Sequence, residues 1–126
     1  MSEVTPENIQ EKINIYQQMQ QQIQALNQQT SQIDISIRET EKTIEEINNA
    51  KKNTPIYRAI GSVMKKIDNI ENLKQQLEEE KETMEIRNKT LRNQIEKMTK
   101  EFLDLQKKIE PLIKEANNSN ERRTTQ

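Results

Sequence analysis

Hydrophobic residues recur every seven positions along two long stretches of the chain, residues 9–47 and residues 67–112. In the first stretch the repeat starts at Ile9, and apolar residues follow at intervals that alternate between three and four. In the second stretch the repeat runs from Ile70 to Leu112 without a break. A sustained seven-residue repeat is typical of a coiled coil, so each stretch predicts one long helix.

The first helix has recognisable end signals. Thr5 suits an N-cap position, and Pro6 suits the first position inside a helix. At the other end, Pro55 disfavours helix at Thr54, the residue before it. Helix 1 is therefore predicted over about residues 6–51.

The second helix also carries end signals. Asp68 followed by Glu71 predicts a capping box at its start. Pro111 lies near its end and is expected to mark fraying, because proline cannot donate a backbone hydrogen bond. Helix 2 is predicted over about residues 69–115, followed by a disordered tail at residues 116–126.

The joint between the helices, about residues 55–67, fits the repeat poorly and contains the one glycine of the sequence. Gly61 followed by Ser62 suits a type II′ turn, which requires a positive φ at its first residue. This predicts a β-hairpin whose open edges make it an assembly element. Alternatively, helix 2 begins near Ser62, since Val63 and Ile67 also fit the repeat. The predicted assembly residues are Ile56, Tyr57, Ile60, Gly61, Val63, Met64 and Ile67.

The two helical stretches have nearly equal lengths, roughly 70 Å each at about 1.5 Å per residue. Matched lengths allow their apolar stripes to face each other in an antiparallel arrangement. The predicted fold class is therefore mainly α: a long antiparallel two-helix coiled-coil hairpin with a short β-hairpin at the joint. Residues 1–126 are expected to form a single domain.

The composition excludes several classes of protein. Hydrophobic residues make up 30% of the sequence and charged residues 33%, which leaves too little apolar surface for a rounded core. The net charge is −1 with both signs interspersed, which argues against a nucleic-acid binder with a dominant basic face. No apolar run approaches the length of a membrane span, and the first ten residues do not resemble a signal peptide. A cytoplasmic protein is expected.

Candidate catalytic chemistry is sparse. The sequence has no histidine and no cysteine, so the commonest general base and the best nucleophile are both absent. A single glycine cannot form a phosphate-binding loop. Acidic runs such as residues 78–80 are typical of a solvated helix face. We expect no enzymatic activity, no cofactor and no metal site.

The joint and the first helix resemble those of the prefoldin family, beta type. The resemblance is carried by the segment IYRAIGSVMKK, with Tyr57 and Gly61 four residues apart, and by the glutamine-rich stretch YQQMQQQIQALNQQ. It implies a hetero-hexamer of two alpha-type and four beta-type subunits, whose hairpins pair. It also implies capture of unfolded polypeptides and their delivery to a group II chaperonin without nucleotide hydrolysis.

Apolar residues near the open end of the predicted hairpin are candidates for that capture. Four of them, Ile13, Ile15, Leu103 and Ile113, fall outside the seven-residue repeat and can form a contiguous patch. Fraying or contact with a neighbouring subunit is the alternative explanation. The predicted binding residues are Ile9, Ile13, Ile15, Tyr16, Met19, Phe102, Leu103, Leu105, Ile109, Leu112 and Ile113.

Residues 13–33 carry no charge at all. The simplest interpretation is a solvated helix face, because glutamine is a good helix former. The functional interpretation is an inner surface that neither repels nor strongly holds polypeptides of either charge.

Two other functions remain open from the sequence. The chain can be a structural tether or scaffold subunit whose ends bind folded partners. A membrane-fusion or nucleic-acid dimerisation module ranks last, because neither an anchor nor a basic region is present. A scaffold would tolerate a flexible loop at the joint, whereas an assembly subunit needs strands there.

Overall fold

The computed structural model describes residues 3–124, with side chains up to residue 118. Its elements are helix α1 (Ile9–Asn49), strands β1 (Tyr57–Ile60) and β2 (Val63–Lys66), and helix α2 (Ile70–Thr124). Two long helices pack against each other, and a two-stranded antiparallel hairpin connects them. This arrangement confirms the predicted fold class.

A turn over residues 6–8 leads into α1. The backbone N–H of Asn8 donates to the carbonyl of Thr5 at 3.1 Å, and the N–H of Thr5 donates to Oδ1 of Asn8 at 2.7 Å. Asn8 thus bonds back to Thr5 as the glutamate of a capping box does. The chain enters α1 through this turn, and the regular helix begins at Ile9.

A second turn follows α1. The N–H of Thr54 donates to the carbonyl of Lys51 at 3.0 Å, and Asn53 between them has a φ of 70°. Asparagine tolerates this left-handed conformation better than most residues. The turn ends the helical course of the chain just before Pro55 and directs it into β1.

The start of α2 corrects the predicted cap by one residue. The side chain of Asn69, not Asp68, accepts a hydrogen bond from the N–H of Asn72 at 3.0 Å. The carbonyl of Asn69 also accepts from Leu73 at 3.2 Å. Both residue types suit an N-cap. The helix begins one residue later because Ile67 still pairs with the hairpin, through its N–H to the carbonyl of Ile56 at 2.9 Å.

The last part of α2 differs from the predicted disordered tail. The helix passes Pro111 and residue 115 and continues to Thr124, while residues 125–126 lie outside the described residues. Proline removes one hydrogen bond from a helix but leaves the following N–H groups free to bond. The sequence after Pro111 contains good helix formers such as Leu112 and Ala116.

The chain divides into two compact units. One contains Thr30–Thr90, which includes the hairpin, and its core is formed by Ile44, Leu73 and Leu77. Ile44 and Leu77 belong to the seven-residue repeat, whereas Leu73 does not. Ile47 packs against the same core. The buried stripe is the main stabilising element of this unit, at roughly 1.5–3 kcal/mol for each fully buried aliphatic side chain.

The other unit contains Met1–Gln29 and Leu91–Gln126. Leu105 and Ile109, from the stripe of α2, are its buried apolar residues among those described. The rings of Tyr16 on α1 and Phe102 on α2 stack with centroids 4.4 Å apart and planes 12° apart. The two helices are therefore joined in this unit by stripe residues, as the repeat predicts.

Candidate assembly and binding surfaces

The hairpin has a defined register and a two-residue loop. Ile60 pairs with Val63, and Gly61 and Ser62 form the loop between them. Gly61 has a φ of 58°, whereas Ser62 is not at positive φ. This combination fits the predicted type II′ turn, which places a positive φ at its first residue alone. The alternative of a helix beginning near Ser62 is wrong, because α2 begins at Ile70.

The register also determines which backbone groups are free. The N–H of Ile67 donates to the carbonyl of Ile56, and hydrogen-bonded pairs alternate with non-hydrogen-bonded pairs in an antiparallel ladder. The Tyr57–Lys66 and Ala59–Met64 pairs are therefore non-hydrogen-bonded. Their N–H and C=O groups point outward to the two edges of the hairpin, where another strand can pair with them.

One face of the hairpin is attached to the helices. Side chains alternate between the two faces of a strand, so Ile56, Arg58 and Ile60 share a face. Ile56 packs against the core formed by Ile44, Leu73 and Leu77, and so does Ile67. Further along β1, Nη2 of Arg58 lies 2.9 Å from Oε1 of Glu80 on α2. These contacts attach the hairpin to the helices. They also stabilise it, because an isolated two-stranded hairpin is only marginally stable in water.

The rest of the hairpin presents large apolar side chains to solvent. Tyr57, Ile60, Val63 and Met64 are between 53% and 65% exposed. Ile60 and Val63 lie on one face and Tyr57 and Met64 on the other, so the hairpin has an exposed apolar surface on both faces beside open strand edges, which is typical of an interface. Among the predicted assembly residues, these four and Gly61 lie at that surface, whereas Ile56 and Ile67 support it from the core side.

The predicted binding residues fall into three groups by exposure: buried, half-buried and exposed. Leu105 and Ile109 are only 3% and 4% exposed, so they hold α1 and α2 together and have little surface to offer a ligand. Tyr16 and Phe102 stack on each other. The seven-residue repeat already includes these four residues. Their packing between the helices distinguishes them from the exposed candidates Leu103 and Ile113. The half-buried residues are Ile9, Ile13, Ile15, Tyr16, Met19, Phe102 and Leu112.

An open groove brings several of the remaining candidates together. It lies between the start of α1 and the last part of α2, and we call it the terminal groove. Leu103 and Ile113 are the most exposed of the predicted residues, at 45% and 40%, and Ile113 lines this groove. Its lining combines aliphatic side chains, which suit apolar groups of a ligand, with a carboxylate and two side-chain amides. It is lined by Pro6, Ile9, Ile13, Leu112, Ile113, Glu115, Ala116, Asn117 and Asn118.

Sequence reasoning missed a buried polar cluster. Asn88 is only 2% exposed, and its Nδ2 donates to Oδ1 of Asp34 at 2.7 Å and to the carbonyl of Thr30 at 3.4 Å. Thr30 is buried as well. Thr30 and Asn88 both occupy stripe positions of the seven-residue repeat. Two polar residues at positions of the repeat that are mostly apolar were the feature of the sequence that could have predicted this cluster.

Two exposed isoleucines were also missed, Ile35 on α1 and Ile86 on α2. Both stand outside the repeat, and an isolated exposed apolar residue carries little information. Within the described residues there is no group of three or more histidine, cysteine, aspartate or glutamate side chains suited to a metal ion. Neither described helix combines the length and apolarity that a membrane crossing requires.

These features define a two-helix coiled-coil protein with a β-hairpin between its helices, and comparison with known proteins identifies its family. The prefoldin subunit family matches residues 10–116, and the chain belongs to this family. It is 38% identical to the prefoldin subunit beta of Archaeoglobus fulgidus over 113 residues, and this alignment covers 90% of this chain and 96% of that protein. It is 35% identical to the prefoldin subunit beta of Thermoplasma volcanium over 101 residues, and this alignment covers 80% of this chain and 82% of that protein.

A solved structure shows the same fold. The crystal structure of the prefoldin beta subunit from Thermococcus strain KS-1 aligns with a TM-score of 0.74 at 24% sequence identity. The alignment covers 89% of this chain and 96% of that one. Membership of the family gives the chain a co-chaperone role and other prefoldin subunits as partners. The family is one of co-chaperones and is not known for enzymes.

Proposed function

We propose that this chain is a beta-type subunit of a cytoplasmic hetero-hexamer with two alpha-type and four beta-type subunits. The complex binds unfolded polypeptides and passes them to a group II chaperonin without ATP. The observation that carries the proposal is the hairpin, whose exposed apolar side chains and free strand edges belong to a chain of the prefoldin family.

The terminal groove is the proposed site of polypeptide binding. Its aliphatic side chains offer apolar contacts to unfolded chains without selecting one sequence, and the exposed side chain of Leu103, which does not line the groove, adds a further contact. Each aliphatic side chain buried against a client contributes at most roughly 1.5–3 kcal/mol. Weak contacts of this size allow release without an energy source, and several subunits in one complex supply avidity.

The uncharged stretch at residues 13–33 supports the same function. It adds no charge that would repel clients of either sign. Part of this stretch, including Ala25 and Leu26, lines an open groove together with Met98 and glutamine side chains, and Lys97 and Glu101 of α2 add one charge of each sign. We propose that this surface makes secondary contacts with a bound polypeptide.

Native mass spectrometry tests the assembly. Mixed with an alpha-type prefoldin subunit, the chain should form a complex of four copies with two. Replacement of Ile60 and Val63 by aspartate should prevent that complex and leave helical circular dichroism unchanged, because both side chains are exposed. A wild-type chain that stays monomeric would contradict the proposed hexamer. A normal hexamer formed by the variant would contradict the proposed role of the hairpin in assembly.

Suppression of aggregation tests the binding site. Replacement of Ile113, which lines the groove, by serine should reduce protection of a chemically unfolded client and leave the hexamer intact. Replacement of Ile35 by serine is the matched control, since Ile35 is 51% exposed but lies outside the groove. Protection should persist after enzymatic removal of nucleotides. Equal losses in the groove variant and the control would contradict a role for the groove.

The same aggregation assay distinguishes the proposed function from the alternative, a structural scaffold that binds folded partners. Such a protein would protect no unfolded client at any concentration. Transfer to a chaperonin is tested by adding a group II chaperonin to the client complex and following the client by native gel electrophoresis.

A further inference from the structure

An open groove in the unit that contains Met1–Gln29 and Leu91–Gln126 is lined by two stripes of residues, one from each helix. The stripes have the same spacing, i, i+3, i+4 and i+7, which places their members on one face of a helix. Three of the lining residues are glutamines, and we call this groove the glutamine groove. The α1 stripe is Gln22, Ala25, Leu26 and Gln29, and the α2 stripe is Gln94, Lys97, Met98 and Glu101.

The floor of the glutamine groove is apolar. Leu26 and Met98 belong to the seven-residue repeat and are half-buried. Ala25 lies beside Leu26 and is exposed. Its single methyl group leaves the groove open where a larger side chain would fill it. The floor therefore leaves space for a ligand above Leu26 and Met98.

The three glutamine side chains have unused hydrogen-bonding capacity. Gln22, Gln29 and Gln94 are exposed, and among the described residues none of their side-chain amides has a hydrogen-bond partner. Each amide has one carbonyl acceptor and two N–H donors. The groove thus presents three neutral groups that donate and accept hydrogen bonds at the same time.

A polypeptide main chain matches these amides. Every residue except proline carries one main-chain N–H donor and one C=O acceptor, and in a folded protein the buried ones are already paired. An unfolded chain leaves them free. Gln22 and Gln29 lie about 10 Å apart along α1, which corresponds to roughly three residues of extended chain. The groove therefore suits a feature that all unfolded chains share, whatever their side chains are.

The charges at the groove favour no particular ligand. Residues 13–33 carry no charge, and the α2 stripe contributes one cation, Lys97, and one anion, Glu101. The lining therefore has no net attraction for acidic or for basic segments. Hydrogen bonds to the amides are the polar interaction by which the groove holds a ligand of any sequence.

We propose that the glutamine groove binds the main chain of an extended, unfolded polypeptide through hydrogen bonds with Gln22, Gln29 and Gln94. Leu26 and Met98 exclude water beneath these bonds and so strengthen them. Main-chain hydrogen bonds at the glutamine groove and apolar contacts at the terminal groove then act on different parts of one client. This inference rests on the proposed binding of unfolded polypeptides.

Substitution by methionine separates hydrogen bonding from apolar contact. The triple variant Gln22→Met, Gln29→Met, Gln94→Met keeps the length of each side chain and replaces its amide by a thioether, and methionine is also a good helix former. In the complex with an alpha-type subunit, its affinity for a short, uncharged, fluorescently labelled peptide should fall about tenfold or more, as fluorescence anisotropy measures. Unchanged or tighter binding would show that apolar contact dominates and would overturn the proposal.

The matched control carries the same number of glutamine-to-methionine substitutions outside the groove. Gln21, Gln28 and Gln75 are exposed, and none of them lines the groove. Gln21→Met, Gln28→Met, Gln75→Met should leave the affinity within about twofold of the wild type. Equal weakening in the two triple variants would overturn the proposal. So would a helical groove variant that no longer joins the complex, because the groove then packs against another subunit.

Changes in the peptide test the same contact with the wild-type complex, so that no substitution disturbs the fold. A peptide of the same sequence that is N-methylated at every peptide nitrogen keeps its side chains but has no main-chain donor, and it should bind about tenfold more weakly. The peptide of reversed sequence keeps its composition and its main-chain groups, and it should bind within about twofold. Equal binding of the methylated peptide, or loss of binding on reversal, would overturn the proposal.

The outcomes separate this inference from the proposed function. A wild-type complex that protects an unfolded client, but binds the methylated and unmethylated peptides equally, would overturn the inference and leave the proposed function standing. A wild-type complex that protects no unfolded client would overturn the proposed function itself.

Discussion

Asn88 on α2 donates a hydrogen bond from Nδ2 to Oδ1 of Asp34 on α1 at 2.7 Å, inside the seam between the two helices. The same nitrogen donates to the carbonyl of Thr30 at 3.4 Å. A polar residue at one seam position of a coiled coil specifies register, because other alignments leave it buried without a partner. The Asn88–Asp34 bond therefore fixes how α1 and α2 align in the unit that carries the hairpin.

Replacement of Asn88 by alanine should lower the free energy of unfolding by about 1–3 kcal/mol, since Asp34 and Thr30 each lose one hydrogen bond across the helix interface. Asn93→Ala is the matched control, because Asn93 is an exposed asparagine on the same helix, and it should change stability by less than about 0.5 kcal/mol. Urea unfolding of the assembled protein followed by circular dichroism measures both. Equal effects of the two substitutions would contradict a specific role for Asn88.

The stacked rings of Tyr16 and Phe102 should show energetic coupling. A double-mutant cycle with alanine at both positions should give about 0.5–1.5 kcal/mol beyond the sum of the single effects. Tyr16→Phe is the control, because it keeps the ring and should retain the coupling. Strictly additive alanine substitutions would show that the rings lie side by side without stabilising each other.

Leu103 and Leu105 are two residues apart and should behave in opposite ways. Leu105 is buried, so Leu105→Ala should cost about 2–5 kcal/mol of unfolding free energy. Leu103 is exposed, so Leu103→Ala should change stability by less than about 0.5 kcal/mol and instead weaken client protection. Thermal unfolding and aggregation assays on the same two variants distinguish the roles. A reversed order of stability effects would contradict the observed packing.

Gly61 should tolerate the volume of a side chain but not its conformational restriction. A Cβ atom added there meets nothing within 4 Å, yet φ is 58°. Gly61→Ala should therefore destabilise the hairpin by about 1–2 kcal/mol without a steric clash. Ser62→Ala, at the neighbouring loop position, is the control. Hydrogen exchange of the hairpin amides measures the effect, and unchanged exchange in Gly61→Ala would contradict a strained turn.

The helices, the hairpin and its loop could all be predicted from the spacing and type of residues along the chain. The seven-residue repeat identified both helices because burial of one stripe requires that spacing, whatever the neighbouring residues are. Gly61 identified the turn because a positive φ is a local property of the backbone. The short motif around Tyr57 and Gly61 also carried the resemblance to the prefoldin family, which the comparisons confirm.

Which of these residues are available to a partner depends on packing between the elements, and it could not be predicted from the repeat. Leu103 and Leu105 look alike in sequence, but packing between the helices buries one and exposes the other. Ile56 and Ile67 belong to the hairpin, yet the core beneath them converts them into its supports. The Arg58–Glu80 contact and the Asn88–Asp34 bond join residues that are 22 and 54 positions apart. Such pairs depend on how the helices align in space, which local periodicity does not specify.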